Sequence, residues 1–368
     1  MFAFLPIVFL LLFYAWWRVR FVFPRKYRYY GALLLTLCFV ANFACRAVGN
    51  NVIAVAMQAV GSITTVFLAN WLIFCVVWDL YLGIRRLRGK RRVANRNLRM
   101  RKEPVFAGAI FALAVAFFFI GLSLQYNYKI ISVKESLATS PKKILRIAAF
   151  SDVHFDPFFP KSKLERIVDS LLVLRPDAIF FVGDLADLSA DKLNARGFDS
   201  LFRLINAPHG FYASTGNHEG IGNTGNIEWL RNLGNVTLLM DSTICNYYFC
   251  VSGRIDHSFE RRGLKRVPLK ELMPQDNSVP WFLLDHQPKG LDKQDTGLSR
   301  LPDFAISGHT HAGQFFPASI MIHLIWRLSY GLGNLDGVPW FVTAGIGQWM
   351  PIRIGTRSEL VLFEFTLN

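Results

Sequence analysis

Five short apolar runs in this sequence end in side chains that can bind metal ions or move protons. Leu145 to Phe150 leads into Asp152-Val153-His154, and Ala178 to Val182 leads into Gly183-Asp184. Gly210 to Ala213 leads into Ser214-Thr215-Gly216-Asn217-His218-Glu219. Trp281 to Leu284 leads into Asp285-His286, and Phe304 to Ile306 into Gly308-His309-Thr310-His311. A short continuous apolar run reads as a buried strand, and layered α/β folds bind ligands at the carboxyl ends of their strands. A single turn histidine usually does no chemistry. Here five of the eight histidines stand just after such runs, which is too many for coincidence.

The polar set is Asp152, His154, Asp184, Asn217, His218, His286, His309 and His311. Mixed imidazole and carboxylate donors suit zinc, manganese or iron. One ion rarely uses so many side chains, whereas two divalent ions sharing a carboxylate would. Two cations about 3.5–4 Å apart stabilise both the attacking and the leaving oxygen of an in-line displacement at phosphorus, and they lower the pKa of a water between them. That chemistry predicts phosphoester hydrolysis by metal-activated hydroxide.

The elements that must position this set lie between residues 144 and 368, where strand-like and helix-like segments alternate. Leu164, Ile167, Val168, Leu171 and Leu172 fall at helical spacing within Lys163 to Leu174, giving one buried face. Arg175-Pro176-Asp177 ends that helix, and a further helix is predicted around Asn226 to Leu233. Strands are predicted at Thr237 to Met240, Tyr247 to Ser252, Trp340 to Thr343 and Glu359 to Phe365. Helices early and strands late suit two packed sheets flanked by helices, an α/β fold.

These motifs, in this order, resemble the calcineurin-like metallophosphoesterase superfamily. The resemblance rests on Asp152-x-His154, Gly183-Asp184, Gly216-Asn217-His218-Glu219, His286 and Gly308-His309-Thr310-His311, and covers roughly residues 144 to 368. Gly308 to Gln314, Gly345-Ile346-Gly347 and Pro351-x-Arg353 look most like the YkuE-like phosphoesterases. The resemblance implies a two-sheet αββα sandwich. It implies one metal on Asp152, His154, Asp184 and His311, and a second on Asp184, Asn217, His286 and His309, with Asp184 as the bridge. His218 is then the catalytic residue beside the substrate phosphate, as general acid or electrostatic stabiliser. Leu188 stands where the superfamily's phosphoprotein phosphatases carry arginine, which argues against a protein phosphatase. Phe155-Asp156-Pro157 replaces the more usual small residues and is expected to reshape the substrate entrance. Glu219 stands where many relatives have aspartate, and nothing follows from it.

The rest of the chain has another character. The whole is 52% hydrophobic with a mean hydropathy of +0.29, too apolar for an ordinary soluble protein. Phe2 to Trp17, Gly31 to Val48, Val52 to Ile84 and Val105 to Leu124 read as four membrane spans. No positive segment precedes Phe2 to Trp17, which favours a retained span over a signal peptide. Residues 1–130 hold 17 Lys+Arg against Asp79 and Glu103, leaving 24 basic and 24 acidic residues in the remainder. This flanking charge is topogenic, so no nucleic-acid partner is expected. Arg18, Arg20, Arg25, Lys26 and Arg28 follow the first span, and ten basic residues lie from Arg85 to Lys102. Positive loops stay in the cytoplasm. Both chain ends and the metal-binding part are therefore expected outside it, in an integral protein of a bacterial inner or plasma membrane. The expected organisation is a membrane domain at 1–125, a polar connector at 126–143 and a metallophosphoesterase domain at 144–368.

Three further expectations concern surfaces and alternatives. Cys245 and Cys250 flank a hairpin and could pair in an oxidising compartment. Phe315-Phe316-Pro317 and the run Ile320 to Leu328, with Trp326, read as an interfacial segment, and Arg261, Arg262, Lys265, Arg266 and Lys270 as a loop facing anionic headgroups. The predicted partner is a phosphorylated substrate, on a lipid at the membrane surface. The competing readings are a phosphohydrolase acting on soluble nucleotides or sugar phosphates, and a non-catalytic membrane receptor or scaffold. A transporter finds little support in Arg46 and Asp79, the main ionisable residues of the spans.

Overall fold

The apolar stretches near the start of the chain form helices in this computed structural model, which describes residues 5–19, 22–48, 51–87, 94–124, 127–139, 143–222 and 225–368. They are α1 (Leu5–Val19), α2 (Arg28–Val48), α3 (Val52–Leu87) and α4 (Ala94–Leu124). Among the described residues, Val52–Ile84 and Pro104–Gly121 are long and apolar enough to cross a membrane, and α1 has 15 residues. The expectations resting on Phe2, Arg20 and the basic residues from Arg88 to Arg92 lie outside the described residues. Two charge assignments change. Arg18 is no loop cation but lies in the last turn of α1, buried and paired with Asp79 of α3. Arg96, Arg99, Arg101 and Lys102, expected in a loop, belong to α4.

Chain contacts divide the molecule into two compact units, Met1–Ser123 with Met350–Ile352, and Leu124–Trp349 with Arg353–Asn368. The second unit runs β1 (Tyr128–Leu137), β2 (Lys143–Phe150), α5 (Lys161–Leu174), β3 (Ala178–Val182), α6 (Ala190–Ala195), α7 (Phe198–Phe202) and β4 (Phe211–Ser214). Then come α8 (Asn217–Ile221), α9 (Gly225–Arg231), β5 (Thr237–Leu238), β6 (Ser242–Cys245), β7 (Cys250–Gly253), α10 (Leu269–Leu272), β8 (Trp281–Leu284) and β9 (Phe304–Ser307). The last elements are α11 (Ala318–Ile325), β10 (Gly331–Leu335), β11 (Val338–Val342) and β12 (Ser358–Leu367). One sheet has the order β1-β12-β2-β3-β4-β5 and the other β10-β11-β9-β8-β7-β6.

The alternation of side chains builds the layers. In β3 every residue is buried. Phe180 and Val182 enter the core between the two sheets, with Phe282, Phe304 and Phe363. Ile179 and Phe181 point the other way, under Leu164, Ile167, Val168 and Leu171 of α5. That is the period of two expected of a strand. Leu172, read as part of the buried face of α5, is 55% exposed, because it lies at the edge of a stripe centred on Ile167 and Val168. Arg175 takes the left-handed conformation that ends the helix.

The expected polar connector needs correction. Tyr128–Leu137 is an edge strand, paired in parallel with β12 along its whole length. Its half-exposed, alternating pattern looked like a linker because only one face is covered. Cys245 and Cys250 sit directly opposite each other on β6 and β7 and are joined by a disulfide.

Candidate metal centre

Strands β2, β3 and β4 run parallel in one sheet, and β7, β8 and β9 in the other. Their carboxyl ends therefore emerge on one side, and the polar turns meet there. Asp152 N–H donates to Gly183 O at 2.9 Å, His154 N–H to Asp184 O at 3.2 Å, and Gly347 N–H to Asp152 O at 2.9 Å. Asp152, His154, Asp184, His309 and His311 all have positive φ, a conformation that costs roughly 1–3 kcal/mol per non-glycine residue and marks functional turns. Gly183 has φ +77°, and a Cβ on it would fall 2.4 Å from Gly216 N. Only glycine fits where these two turns touch.

The expected ligands form two groups. His154 Nε2 lies 3.2 Å from His311 Nε2, and His311 Nε2 lies 3.4 Å from Asp152 Oδ1. In the second group His286 Nε2 stands 3.2 Å from Asn217 Oδ1, and His309 Nδ1 is 2.6 Å from the same oxygen. Asp184 Oδ2 faces both, 3.6 Å from His154 Nε2 and 3.2 Å from His286 Nε2. Ligand atoms of Asp152, His154 and His311, and likewise of Asp184, His286 and His309, converge closely enough to hold an ion. The histidine orientations are fixed from behind, since His286 Nδ1–H donates to Val182 O at 2.7 Å. Oxygen and imidazole donors packed this densely around a buried space fit a pair of divalent cations.

His218 belongs to the same cluster. Its Nδ1 is 2.5 Å from Asp187 Oδ1, while Nε2 lies 3.9 Å from Asp184 Oδ2. The carboxylate behind the ring leaves Nε2 aimed at the site. Asp187, whose only sequence signal was its place three residues after Asp184, was not singled out beforehand. Arg353 was noted for its motif but given no role. It is 5% exposed, and its Nη2 stands 2.9 Å from His311 Nδ1. Glu219, from which nothing was inferred, is buried and accepts from the backbone N–H groups of Gly216 at 2.7 Å, Asp184 at 3.0 Å and Leu185 at 2.8 Å. It clamps two site turns together.

Burial and neighbouring charges set the proton inventory. Burial raises the Asp152 carboxyl, with His286 working against it. Burial also pushes the Asp184 carboxyl up, but the His286 and His218 imidazoles outweigh it and hold it well below the usual range. Asp187 is likewise held down, burial being overcome by His218 and His154. Burial disfavours charge on His286, yet Asp184 raises it well above an ordinary imidazole. Burial and then His286 lower His309 to about 3, and burial with His154 lowers His311 far below its usual value. Neutral His309 keeps a lone pair for a cation.

Asn217, His218 and His309 are the half-exposed members of the set, so the site opens to solvent across them. The Trp326 ring packs edge-on against His309, with centroids 5.2 Å apart. Leu188 is buried in the core under the helices. Phe155 does not shape an entrance. It is fully buried and stacks on Phe198. Phe315 is also buried, unlike Phe316. Arg266, expected in a solvated basic loop, is buried against Asp285, which raises its pKa.

A calcineurin-like phosphoesterase family model matches residues 145–313. An uncharacterised metallophosphoesterase of Campylobacter jejuni is 30% identical over 296 residues, 78% of this chain and 76% of that protein. A transmembrane protein with a metallophosphoesterase domain from Danio rerio is 30% identical over 252 residues, 63% of this chain and 56% of that protein. The uncharacterised metallophosphoesterase YkuE of Bacillus subtilis is 25% identical over 245 residues, 63% of this chain and 82% of that protein.

Proposed function

The chain belongs to the calcineurin-like metallophosphoesterase family, and from that premise we propose that it is a membrane-anchored phosphoric ester hydrolase acting outside the cytoplasm. Its substrate is a phosphodiester, a pyrophosphate or a phosphomonoester. Asp152, His154, Asp184 and His311 would hold one divalent ion, and Asp184, Asn217, His286 and His309 the other, with manganese, zinc or iron as candidates. Such a pair supplies charge stabilisation at phosphorus and a nucleophile at neutral pH. The observation that carries this reading is the convergence of both donor groups on the Asp184 carboxylate.

The protein's own groups do the rest. Asp187 accepts from Nδ1–H and fixes the His218 ring; its carboxylate favours the imidazolium, whose Nε2–H would pass to the leaving oxygen. Arg353 buttresses His311 from behind, and Glu219 keeps the Asp184 turn in place. Burial of Asp152, Asp184 and His286 excludes water from the far side of the site.

For the membrane part, four spans with the basic segments in the cytoplasm remain the reading. The two long apolar helices support it, as does a relative described as a transmembrane protein. The domain boundaries proposed are a membrane domain up to residue 125 and a catalytic domain beyond it that includes β1. The Cys245–Cys250 disulfide supports an oxidising surrounding.

The test is metal analysis beside turnover. The purified full-length protein should contain two divalent ions per chain and hydrolyse bis(p-nitrophenyl) phosphate. Chelation should abolish both properties, and manganese should restore turnover. Undiminished hydrolysis by metal-free protein would refute the assignment.

A further inference from the structure

Helix α11 has no buried residue, although its sequence is apolar. Ile320 is 55% exposed, Leu324 80%, Met321 44% and Ile325 54%. These are two i,i+4 pairs on adjoining rows, so they make one stripe. Phe316, before the helix, and Tyr330, after it, are exposed as well. An apolar helix kept whole on a surface costs solubility unless something covers it.

The opposite row of α11 faces a cavity. Ser319 and His323, again four apart, line a space of about 340 Å³ together with Lys129, Tyr330, Arg357 and Glu359. Glu359 is already filled, accepting from Tyr330 Oη, Thr343 Oγ1 and Ala344 N–H, each at 2.9 Å. What the cavity offers a ligand is therefore donors, from the exposed Lys129 and Arg357. An apolar stripe beside a cationic cavity matches an anionic lipid surface, with acyl chains against the stripe and a phosphate at the cations.

We propose that α11 is an interfacial docking helix: Ile320, Met321, Leu324 and Ile325 sink into the acyl boundary of an anionic membrane, Lys129 and Arg357 take a lipid phosphate, and the site consequently acts on phosphate esters of lipids. This rests on the phosphoesterase reading for the substrate, but the docking does not. Two observations favour a bilayer over a protein as the occupant. The same chain carries helices able to cross a membrane, and α11 is amphipathic, with an aliphatic stripe on one face and the cation-lined cavity at the other. The link to the chemistry is Trp326, directly after α11, which packs on His309 at the half-exposed rim of the site. Trp326 thus ties the end of α11 to the half-exposed residues of the site.

The experiment uses the full-length chain in nanodiscs of phosphatidylcholine and phosphatidylglycerol, in a background lacking Cys38, Cys45 and Cys75. An environment-sensitive fluorophore is placed on Leu324→Cys, or on Val173→Cys, an 81% exposed control on α5. Brominated acyl chains should quench the label at 324 and leave that at 173 bright. Substituting Lys129→Glu with Arg357→Glu should weaken the quenching in discs containing phosphatidylglycerol. Ile320→Glu with Leu324→Glu should lower hydrolysis of the phosphatidylglycerol headgroup ester roughly tenfold, as expected for losing buried aliphatic side chains, with bis(p-nitrophenyl) phosphate turnover unchanged. Equal exposure at 324 and 173, or cross-linking of two chains through position 324, would overturn the docking. Loss of bis(p-nitrophenyl) phosphate turnover in the wild type with quenching intact would instead sink the phosphoesterase reading alone.

Discussion

Individual side chains in this site stand in pairs, one lining the site and one behind it. His218 with Asp187 is the clearest case. His218→Ala should lower turnover by about 10²–10⁴-fold, the usual worth of a positioned acid, while both ions stay bound. The loss should be much smaller for an aryl leaving group that needs no proton, and a leaving-group series measures this. Equal losses across the series would remove the acid role. Asp187→Asn should show the same pattern more weakly. Asp184 differs because both donor groups share it. Asp184→Asn should lose both ions and activity together, read by metal analysis, and retention of a full complement would break the bridge. Arg353 is itself buried, yet Arg353→Ala should weaken metal binding about 10–100-fold, as removal of a ligand's supporting partner does.

At the scale of elements, the site depends on turns that tolerate no Cβ. Gly183→Ala must push Gly216 away and force a side chain into a left-handed turn. It should destabilise the fold by about 2 kcal/mol or more and disturb Asp184, seen as a lowered Tm with weakened metal binding. Helix α5 holds a second test. Lys163 is buried on its inner face, and burial lowers its pKa to about 7. The unfolded chain keeps that proton up to about 10.4, so it binds more protons than the folded one between the two values. Stability from this group is therefore lost as the pH falls from about 10 towards 7. Lys163→Met keeps the packed stem without the charge. Its Tm should exceed the wild type's most at pH 6 and least at pH 10, and a pH-independent difference would mean the ammonium is solvated.

For the whole molecule, the proposed topology puts the metal-site unit outside the cytoplasm. The basic segments around α2 and between α3 and α4 point to a cytoplasmic location for those ends. A C-terminal alkaline phosphatase fusion should be active, and an ordinary fluorescent-protein fusion dark. The unreduced protein should also have a mass two hydrogens below the fully reduced chain, from Cys245–Cys250. The reverse fusion pattern would put the site in the cytoplasm and make soluble phosphate esters its substrates.

The sequence by itself determined the strands and their polar ends. A buried parallel strand needs a run such as Ala178 to Val182, and its chemistry must follow at the carboxyl end, so both signals are local. It also showed the apolar helices, since hydropathy is a property of composition. The tertiary structure decided whatever depends on what lies opposite. Tyr128–Leu137 looked like a polar linker until β12 covered one face of it. Phe155 looked like an entrance residue until Phe198 enclosed it, and Arg266 looked solvated until Asp285 met it. The roles of Asp187, Glu219 and Arg353 were not legible because their partners His218, Asp184 and His311 are distant in the chain. Ile320 to Ile325 could as well have been core. Only the packing shows that Ile320, Met321, Leu324 and Ile325 stay exposed, because exposure is a relation between surfaces and not a property of the residues that bear it.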